Sequence, residues 1–151
     1  MDNCVFCRIA RREFGLILYE DEFTISFMDI AGDVDGHILV IPKKHVQSLL
    51  DCDEETALHV MRTVKTVSDH LVQNCGYDGV NLLSACGEAA GQSLGHFHIH
   101  IIPRKTDDGL GATGEWPSFP GAKEDIMEEY IKILSLFQSH LEPFLKKNLV
   151  N

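Results

Sequence analysis

Long apolar runs are missing from this sequence. No stretch approaches the ~20 consecutive apolar residues that a membrane-spanning helix needs. Met1 to Ala10 also lack a basic start followed by a long apolar core. The expectation is therefore a chain with neither signal peptide nor membrane anchor, resident in the cytoplasm. Positive charge is scarce: 13 Lys and Arg against 23 Asp and Glu give a formal net charge of −10. Neutralising a nucleic-acid backbone takes clustered Lys and Arg, so that class of partner is excluded. A small nucleotide held in one local pocket is not. Cysteines number five, at positions 4, 7, 52, 75 and 86. An odd count in a chain expected in a reducing compartment argues against a disulfide framework. Internal repeats, low-complexity tracts and linkers are absent too. At 151 residues and 44% hydrophobic content, the chain reads as a single domain over 1–151 that folds without a staple.

What is present reads in order as follows. Val5 to Arg11 reads as a short helix. Leu16 to Tyr19 and Thr24 to Met28 are β-prone runs around the acidic turn Glu20-Asp21-Glu22, a hairpin pattern. Asp29 to Gly36, with two glycines and three aspartates, reads as a loop. His37 to Pro42 is a mostly apolar run that suits a strand buried on both faces. From Asp53 to Gln73, Ala57, Val60, Met61, Val64, Val67 and Leu71 recur at helical spacing, with Asp53 as N-cap and Gly76 as stop. The histidines of that helix, His59 and His70, lack partners at ligand spacing and read as solvated or partly packed. Gly79 to Ser84 is a further strand. Residues 85–95 form a loop of small residues, and His96 to Ile102 is a strand ended by Pro103. Residues 106–121 are irregular and contain Trp116 and Phe119. A final amphipathic helix starts near Lys123, with Ile126, Tyr130, Ile133, Leu134 and Phe137 on one side and Pro143 at its end. Hairpin strands with segregated helices predict an α+β fold.

The most informative segment is His96-Phe97-His98-Ile99-His100-Ile101. Strict period-two alternation on a strand sends the three histidines to one face, ~7 Å apart along the strand, and the apolar residues to the other. The preceding loop, Gly91 to Gly95, brings backbone N–H groups close to an anion, because glycine permits close approach. Imidazole is a good nucleophile toward phosphorus near neutral pH, and flanking imidazoles can hold its tautomer and donate to phosphate oxygens. Phosphoryl transfer needs mainly positioned donors. The same alternation also suits a metal site or an exposed histidine-lined strand with no role. Cys4 and Cys7 are spaced as zinc ligands, yet one such pair is half a site and also fits two free thiols.

Four segments together resemble the histidine triad (HIT) superfamily: the His-φ-His-φ-His-φ-φ run (φ, apolar) after Gly91-Gln92-Ser93; Cys4-Val5-Phe6-Cys7 followed by Ile9; Phe27-Met28-Asp29-Ile30; and Gly36 to His45. They span residues 4–104 and leave 105–151 as a C-terminal extension. Within the superfamily the chain is most similar to the Hint-like, nucleotide-binding branch in its bacterial zinc-containing form. The resemblance implies an α+β protomer with a five-stranded antiparallel sheet, a long helix and a C-terminal helix, assembled as a homodimer. It implies a hydrolase of purine nucleotides whose nucleophile is His98, attacking the α-phosphorus to form a nucleotidyl-histidine that water then resolves. Nucleoside phosphoramidates, dinucleoside polyphosphates and acyl-nucleotides are the implied substrates.

Carried over residue by residue, the resemblance makes His100 a donor to the α-phosphate. Gln92 lies near the bridging atom, Ser93 is a further phosphate contact, and His37 supports the nucleophile. Asp29 accepts from the ribose hydroxyls, with Ile30, Phe6, Ile9 and Phe14 around the base; taken singly, each apolar residue also fits plain core packing. It also makes His45 and His96 the ligands that complete, with Cys4 and Cys7, a structural zinc site, and it implies no metal in the chemistry itself. Two departures stand out. Ala85 occupies the position of the family's usual asparagine, and Phe14-Gly15 replaces a common Ile-Pro. Competing functions are a nucleotidyl transferase, disfavoured by His100 where that branch has glutamine, and a non-catalytic nucleotide- or zinc-binding adaptor.

Overall fold

The structure is a computed structural model that describes residues 3–29, 35–110 and 125–136. Ile30, Trp116, Phe119, Phe137 and Pro143 lie outside these residues. Strands β1 (Ile17–Glu20) and β2 (Thr24–Met28) pair antiparallel, as the acidic turn predicts. Asp21 shapes that turn, its Oδ1 accepting from the N–H groups of Phe23 and Thr24 at 2.9 and 2.8 Å. A short carboxylate bonding backbone two and three residues ahead is how aspartate favours turns. With β3 (Ile38–Pro42), β4 (Gly79–Leu83) and β5 (Ile99–Arg104) these strands form one five-stranded sheet of order β1-β2-β3-β5-β4. Every neighbouring pair is antiparallel. Helices α1 (Val5–Ala10) and α2 (Glu54–Asn74) and a third helix, α3, over 126–136 complete the α+β architecture.

Period two sorts the sheet into two faces, and each face has its own helix. Ile38, Val40, Ile99 and Ile101 form one core cluster with Val60, Val64, Val67 and Leu71 of α2. Ile25, Phe27, Leu39 and Ile41 form a second with Phe6 and Ile9 of α1. All five residues of β3 are buried, as its unbroken apolar run predicts. Burying each large aliphatic side chain here stabilises by about 1.5–3 kcal/mol, and truncating fully buried Leu71 to alanine costs about 2–5 kcal/mol.

Helix α2 begins where the sequence places it. Asp53 Oδ1 accepts from the Thr56 N–H at 2.8 Å. It ends at Cys75, followed by Gly76 at a φ of +81° that suits glycine. Two expectations for its faces need correction. Met61 is half exposed, because it lies about 100° around the helix from buried Val60. Thr63 takes the inward position instead and hydrogen-bonds Thr24 of β2. His70 is neither solvated nor partly packed but buried, with its ring in contact with Asn74, Cys75 and the Ile133 carbonyl. Helix α3 covers it, a long-range contact invisible to local periodicity. No described helix is long and apolar enough to cross a membrane.

The last strand is also shifted from its expected bounds. It starts at Ile99 rather than His96 and runs through Pro103 to Arg104. Upstream, the Phe97 N–H bonds the Val46 carbonyl at 2.8 Å, and the His98 carbonyl accepts from Ser84 Oγ at 2.7 Å, so these residues are held outside the ladder. Pro103 pairs with Val80 beyond the last β3 partner, Ile101, so its missing N–H breaks no bond to β3.

Candidate functional site

Two groups of side chains meet along the segment 96–100, both on the α1 side of the sheet. The first begins with Cys4, the N-cap of α1, whose Sγ accepts from the Cys7 N–H at 3.3 Å. Capping turns the Cys4 thiol toward the first helical turn, where Cys7 also points. His45 arrives from the segment after β3, and His96 from the segment before β5. Cys7 Sγ lies 3.1 Å from His45 Nδ1, and His96 Nδ1 lies 3.4 and 3.5 Å from the Sγ atoms of Cys4 and Cys7. The four ligand atoms are all within 4.8 Å of one another.

Tetrahedral zinc with bonds of about 2.3 Å to sulfur and 2.0 Å to nitrogen needs sulfur–nitrogen separations of about 3.5 Å. The four residues fit that ion. His96 Nε2 donates to the Pro42 carbonyl at 2.9 Å, which leaves Nδ1 with its lone pair toward the thiols. Such an outer hydrogen bond sets the ligating tautomer of a metal-bound histidine. Burial holds His96 below its ordinary value and so keeps the ring neutral. Burial, then the hydrogen bond with Cys4, raises the Cys7 thiol; a bound cation is what favours its thiolate form. Two thiolates and two imidazoles close the coordination sphere, so the site suits a structural ion rather than a catalytic one.

The second group holds His98, His100, His37 and Asp29. His98 is 8% exposed, and its Nδ1 lies 2.7 Å from the His96 carbonyl oxygen. A carbonyl only accepts, so Nδ1 carries the proton and Nε2 of the neutral ring carries a free lone pair. The His98 and His100 rings lean together, with centroids 5.0 Å apart rather than at the ~7 Å strand repeat. His100 Nδ1 lies 2.8 Å from His37 Nε2, which in turn lies 3.7 Å from Asp29 Oδ2. One of the two bridging nitrogens carries the proton between the rings, and the Asp29 carboxylate lies on the His37 side of the pair. The face therefore sets a basic nitrogen on His98 beside the hydrogen-bonded rings of His100 and His37.

Register explains this gathering. His37 directly precedes β3, Asp29 directly follows β2, and the Asp29 N–H bonds the His37 carbonyl at 2.9 Å. His100 is opposite Leu39 in β5. Side chains two residues apart share a face, so His37 and His100 meet.

The remaining expected site residues divide. Phe6 and Ile9 are buried in the second core cluster. The Phe6 ring also meets both His96 and His98 edge-on, at centroid distances of 5.9 and 5.2 Å. Phe14 is half exposed and carries the Arg8 guanidinium 4.9 Å above its ring. Gln92 Oε1 accepts from the Gly87 N–H at 2.8 Å, while Nε2 donates to the carbonyls of Gln47 and Leu94 at 2.6 and 2.9 Å. The glutamine thus staples the glycine loop to the segment that follows His45. Gly95 lies against the side chain of Gln47: a Cβ there would sit 2.9 Å from Gln47 Nε2. Ser93 is exposed on the same loop.

Three contributors escape sequence reasoning: the Pro42 carbonyl, the Ser84 hydroxyl and the backbone carbonyl of His96. Each acts through geometry that no residue type announces. The capping role of Cys4 was readable in principle, because it stands immediately before a helical run.

Several known proteins are similar to this chain over most of its length. The family model described as the HIT domain matches residues 13–107. An adenosine 5′-monophosphoramidase of Schizosaccharomyces pombe is 34% identical over 126 residues, which cover 82% of this chain and 90% of that protein. An adenylylsulfatase of Arabidopsis thaliana is 40% identical over 113 residues, 74% of this chain and 57% of that protein. A zinc-bound histidine triad family protein from Mycobacterium smegmatis has a TM-score of 0.78 at 28% identity, covering 95% of this chain and 98% of its own.

Proposed function

This chain belongs to the HIT family, and from that premise we propose that it is a nucleotide hydrolase working through a covalent adduct on His98 Nε2. The observation that carries the reading is the 2.7 Å contact from His98 Nδ1 to the His96 carbonyl. It fixes the tautomer with its lone pair on Nε2, the form a nucleophile needs.

In the first step Nε2 attacks the α-phosphorus of a purine nucleoside 5′-phosphoramidate, an acyl-nucleotide or a dinucleoside polyphosphate. A nitrogen–phosphorus bond forms, and the bond to the leaving group breaks with its electron pair on that group. The two relatives named as a monophosphoramidase and an adenylylsulfatase support an adenylate with a nitrogen or sulfate leaving group. His100, with its proton on Nε2, donates to an oxygen of the α-phosphate; a preorganised donor of this kind is worth most where charge develops. His37 holds the His100 tautomer, and Asp29 both orients His37 and accepts from the ribose. We assign Ser93 and the loop shaped by Gln92 to the phosphate and leaving group. Ile30, Phe6, Ile9 and Phe14 we assign to the base. Water then attacks the phosphorus, the nucleoside monophosphate departs and His98 is restored.

Zinc is the ion we assign to Cys4, Cys7, His45 and His96, on the donor set and on the zinc-bound relative. When bound it supplies a cross-link between the N-terminal helix and the segment carrying the nucleophile, and no step of the reaction. We further assign the protein to a homodimer. The edge position of β4, with Leu82 48% exposed, and the outer side of α2, with Leu58 59% exposed, support this.

The test is intact-protein mass after mixing with adenosine 5′-phosphoramidate, with released AMP followed alongside. Wild type is expected to show a nucleotidyl adduct and AMP, and His98→Ala neither, a loss of about 10³-fold or more. Unchanged turnover in His98→Ala, or no AMP and no adduct from folded wild type with this substrate and with a dinucleoside polyphosphate, would sink the proposal.

A further inference from the structure

Helix α3 lies outside the matched residues 13–107, yet it reaches the back of the active face. Glu129 is 2% exposed and Tyr77 5% exposed. The Tyr77 hydroxyl donates to Glu129 Oε1 in a short hydrogen bond. Burial, then that bond, pushes the phenol up, so Tyr77 stays protonated and remains the donor. Two more contacts seat the helix: Tyr130 Oη donates to the Ile17 carbonyl at 2.9 Å, and Ile133 is fully buried in the main core.

The backbone of Gly36 runs against the Tyr77 hydroxyl that bonds Glu129. A Cβ on Gly36 would come 2.9 Å from the Tyr77 hydroxyl, 3.1 Å from Pro103 Cγ and 3.5 Å from Ile133 Cδ1. Its φ of +73° is a conformation that glycine adopts without strain. Only glycine lets the chain lie this close to the floor made by those three residues. The next residue is His37, whose carbonyl accepts from Asp29 and whose ring meets His100 at 2.8 Å.

From this continuity we propose that Tyr77 and Glu129 are positioning residues: they set the height of the Gly36–His37 backbone and, through His37, the ring of His100. The inference rests on the role proposed for His100 above. A buried polar pair joined by a hydrogen bond suits such a task, because a directional bond fixes a position where an apolar contact would slide. The metal cluster and His98 are on other segments, at Cys4, Cys7, His45 and His96–His98, and do not depend on this prop. The device thus acts on one of the two catalytic nitrogens and leaves the other alone.

The experiment uses the full chain as Tyr77→Phe, Glu129→Ala and Glu129→Gln, with imidazole nitrogen resonances of the histidines read by NMR and steady-state kinetics on adenosine 5′-phosphoramidate. Tyr77→Phe and Glu129→Ala are expected to shift the His37 and His100 rings while those of His96 and His98 hold. They are expected to lower kcat by about tenfold with KM changed less than about twofold, the pattern of an interaction made in the transition state. Glu129→Gln, whose amide oxygen still accepts from Tyr77, is expected to keep near-wild-type resonances and rates. Unmoved His37 and His100 resonances in folded Tyr77→Phe protein would overturn the proposal. So would equal displacement of all four rings, or loss of folding in Tyr77→Phe, which removes a single oxygen: either result assigns the pair to stability alone. The resonances decide this even if the chain hydrolyses no nucleotide, so failure of the prop and failure of the proposed reaction are separable.

Discussion

The two groups at either end of the segment 96–100 are built from the same residue type and have different fates. Around His96, two thiols and a second imidazole crowd within 4.8 Å, and a backbone carbonyl accepts a hydrogen bond from Nε2–H. Around His100, a carboxylate and a second imidazole also lie within 4.8 Å, but a ring-to-ring hydrogen bond links them. The first group is closed, with its lone pairs converging on one point. The second is a chain from carboxylate to ring to ring. His98 stands between them and borrows from the first, since the residue that offers its ring to the thiols offers its backbone carbonyl to His98. Imidazole alone does not choose between holding a metal and moving a proton; the atom opposite each ring nitrogen does.

Three experiments break this contrast. The largest effect is expected from emptying the first group. With zinc at a thousandfold excess over its dissociation constant, binding stabilises the fold by about 4 kcal/mol. Chelation or Cys7→Ser should remove that much in thermal or denaturant unfolding, with metal content measured in parallel. An unchanged unfolding midpoint after complete chelation would refute a stabilising role for the site.

Next comes the second group. His100→Ala should lower turnover by about 10²-fold, the scale for one transition-state donor, while bound zinc per chain stays as in wild type. Lost zinc in that variant would show that the two groups are not separate.

The smallest effect belongs to a control outside both groups. Arg104 bonds Asp108 through two nitrogens at 2.8 and 3.1 Å. The guanidinium, above all through these hydrogen bonds, holds the Asp108 carboxyl well below the usual carboxylate range. Its pKa is depressed on folding, so its stabilisation is present above the unfolded value near ~3.9 and is lost as pH falls through the folded value. Asp108→Asn should therefore lower stability at neutral pH by about 1.5 kcal/mol. The difference from wild type should shrink below about pH 4, with AMP release unchanged. A pH-independent difference would rule out the ion pair as its source.

Local signals were enough for several elements. Asp53 before an acidic, periodic run marks the start of α2, and Gly76 its end, because capping and positive φ are properties of single residues. The alternation of histidine with Phe97, Ile99 and Ile101 foretold which side chains enter the main core. Other features were not legible. Met61 faces outward and Thr63 inward, where β2 supplies the Thr24 hydroxyl as its partner. His70 is buried by a helix more than fifty residues further along the chain. Strand β5 starts late because the segment around His96 is held to residue 46 and to Ser84 rather than to a ladder.

Residue identity and spacing thus determined the family of this protein, its α+β class, the face on which its histidines stand and the pairing of two cysteines one helical turn apart, since each is a consequence of backbone period or of side-chain chemistry. Only the tertiary structure decided that His98 turns Nδ1 to a backbone carbonyl, which histidines join the thiols, and that Tyr77, bonded to a glutamate of α3, lies against Gly36. Those outcomes depend on atoms from distant segments arriving within hydrogen-bond distance, and no local pattern encodes a distance.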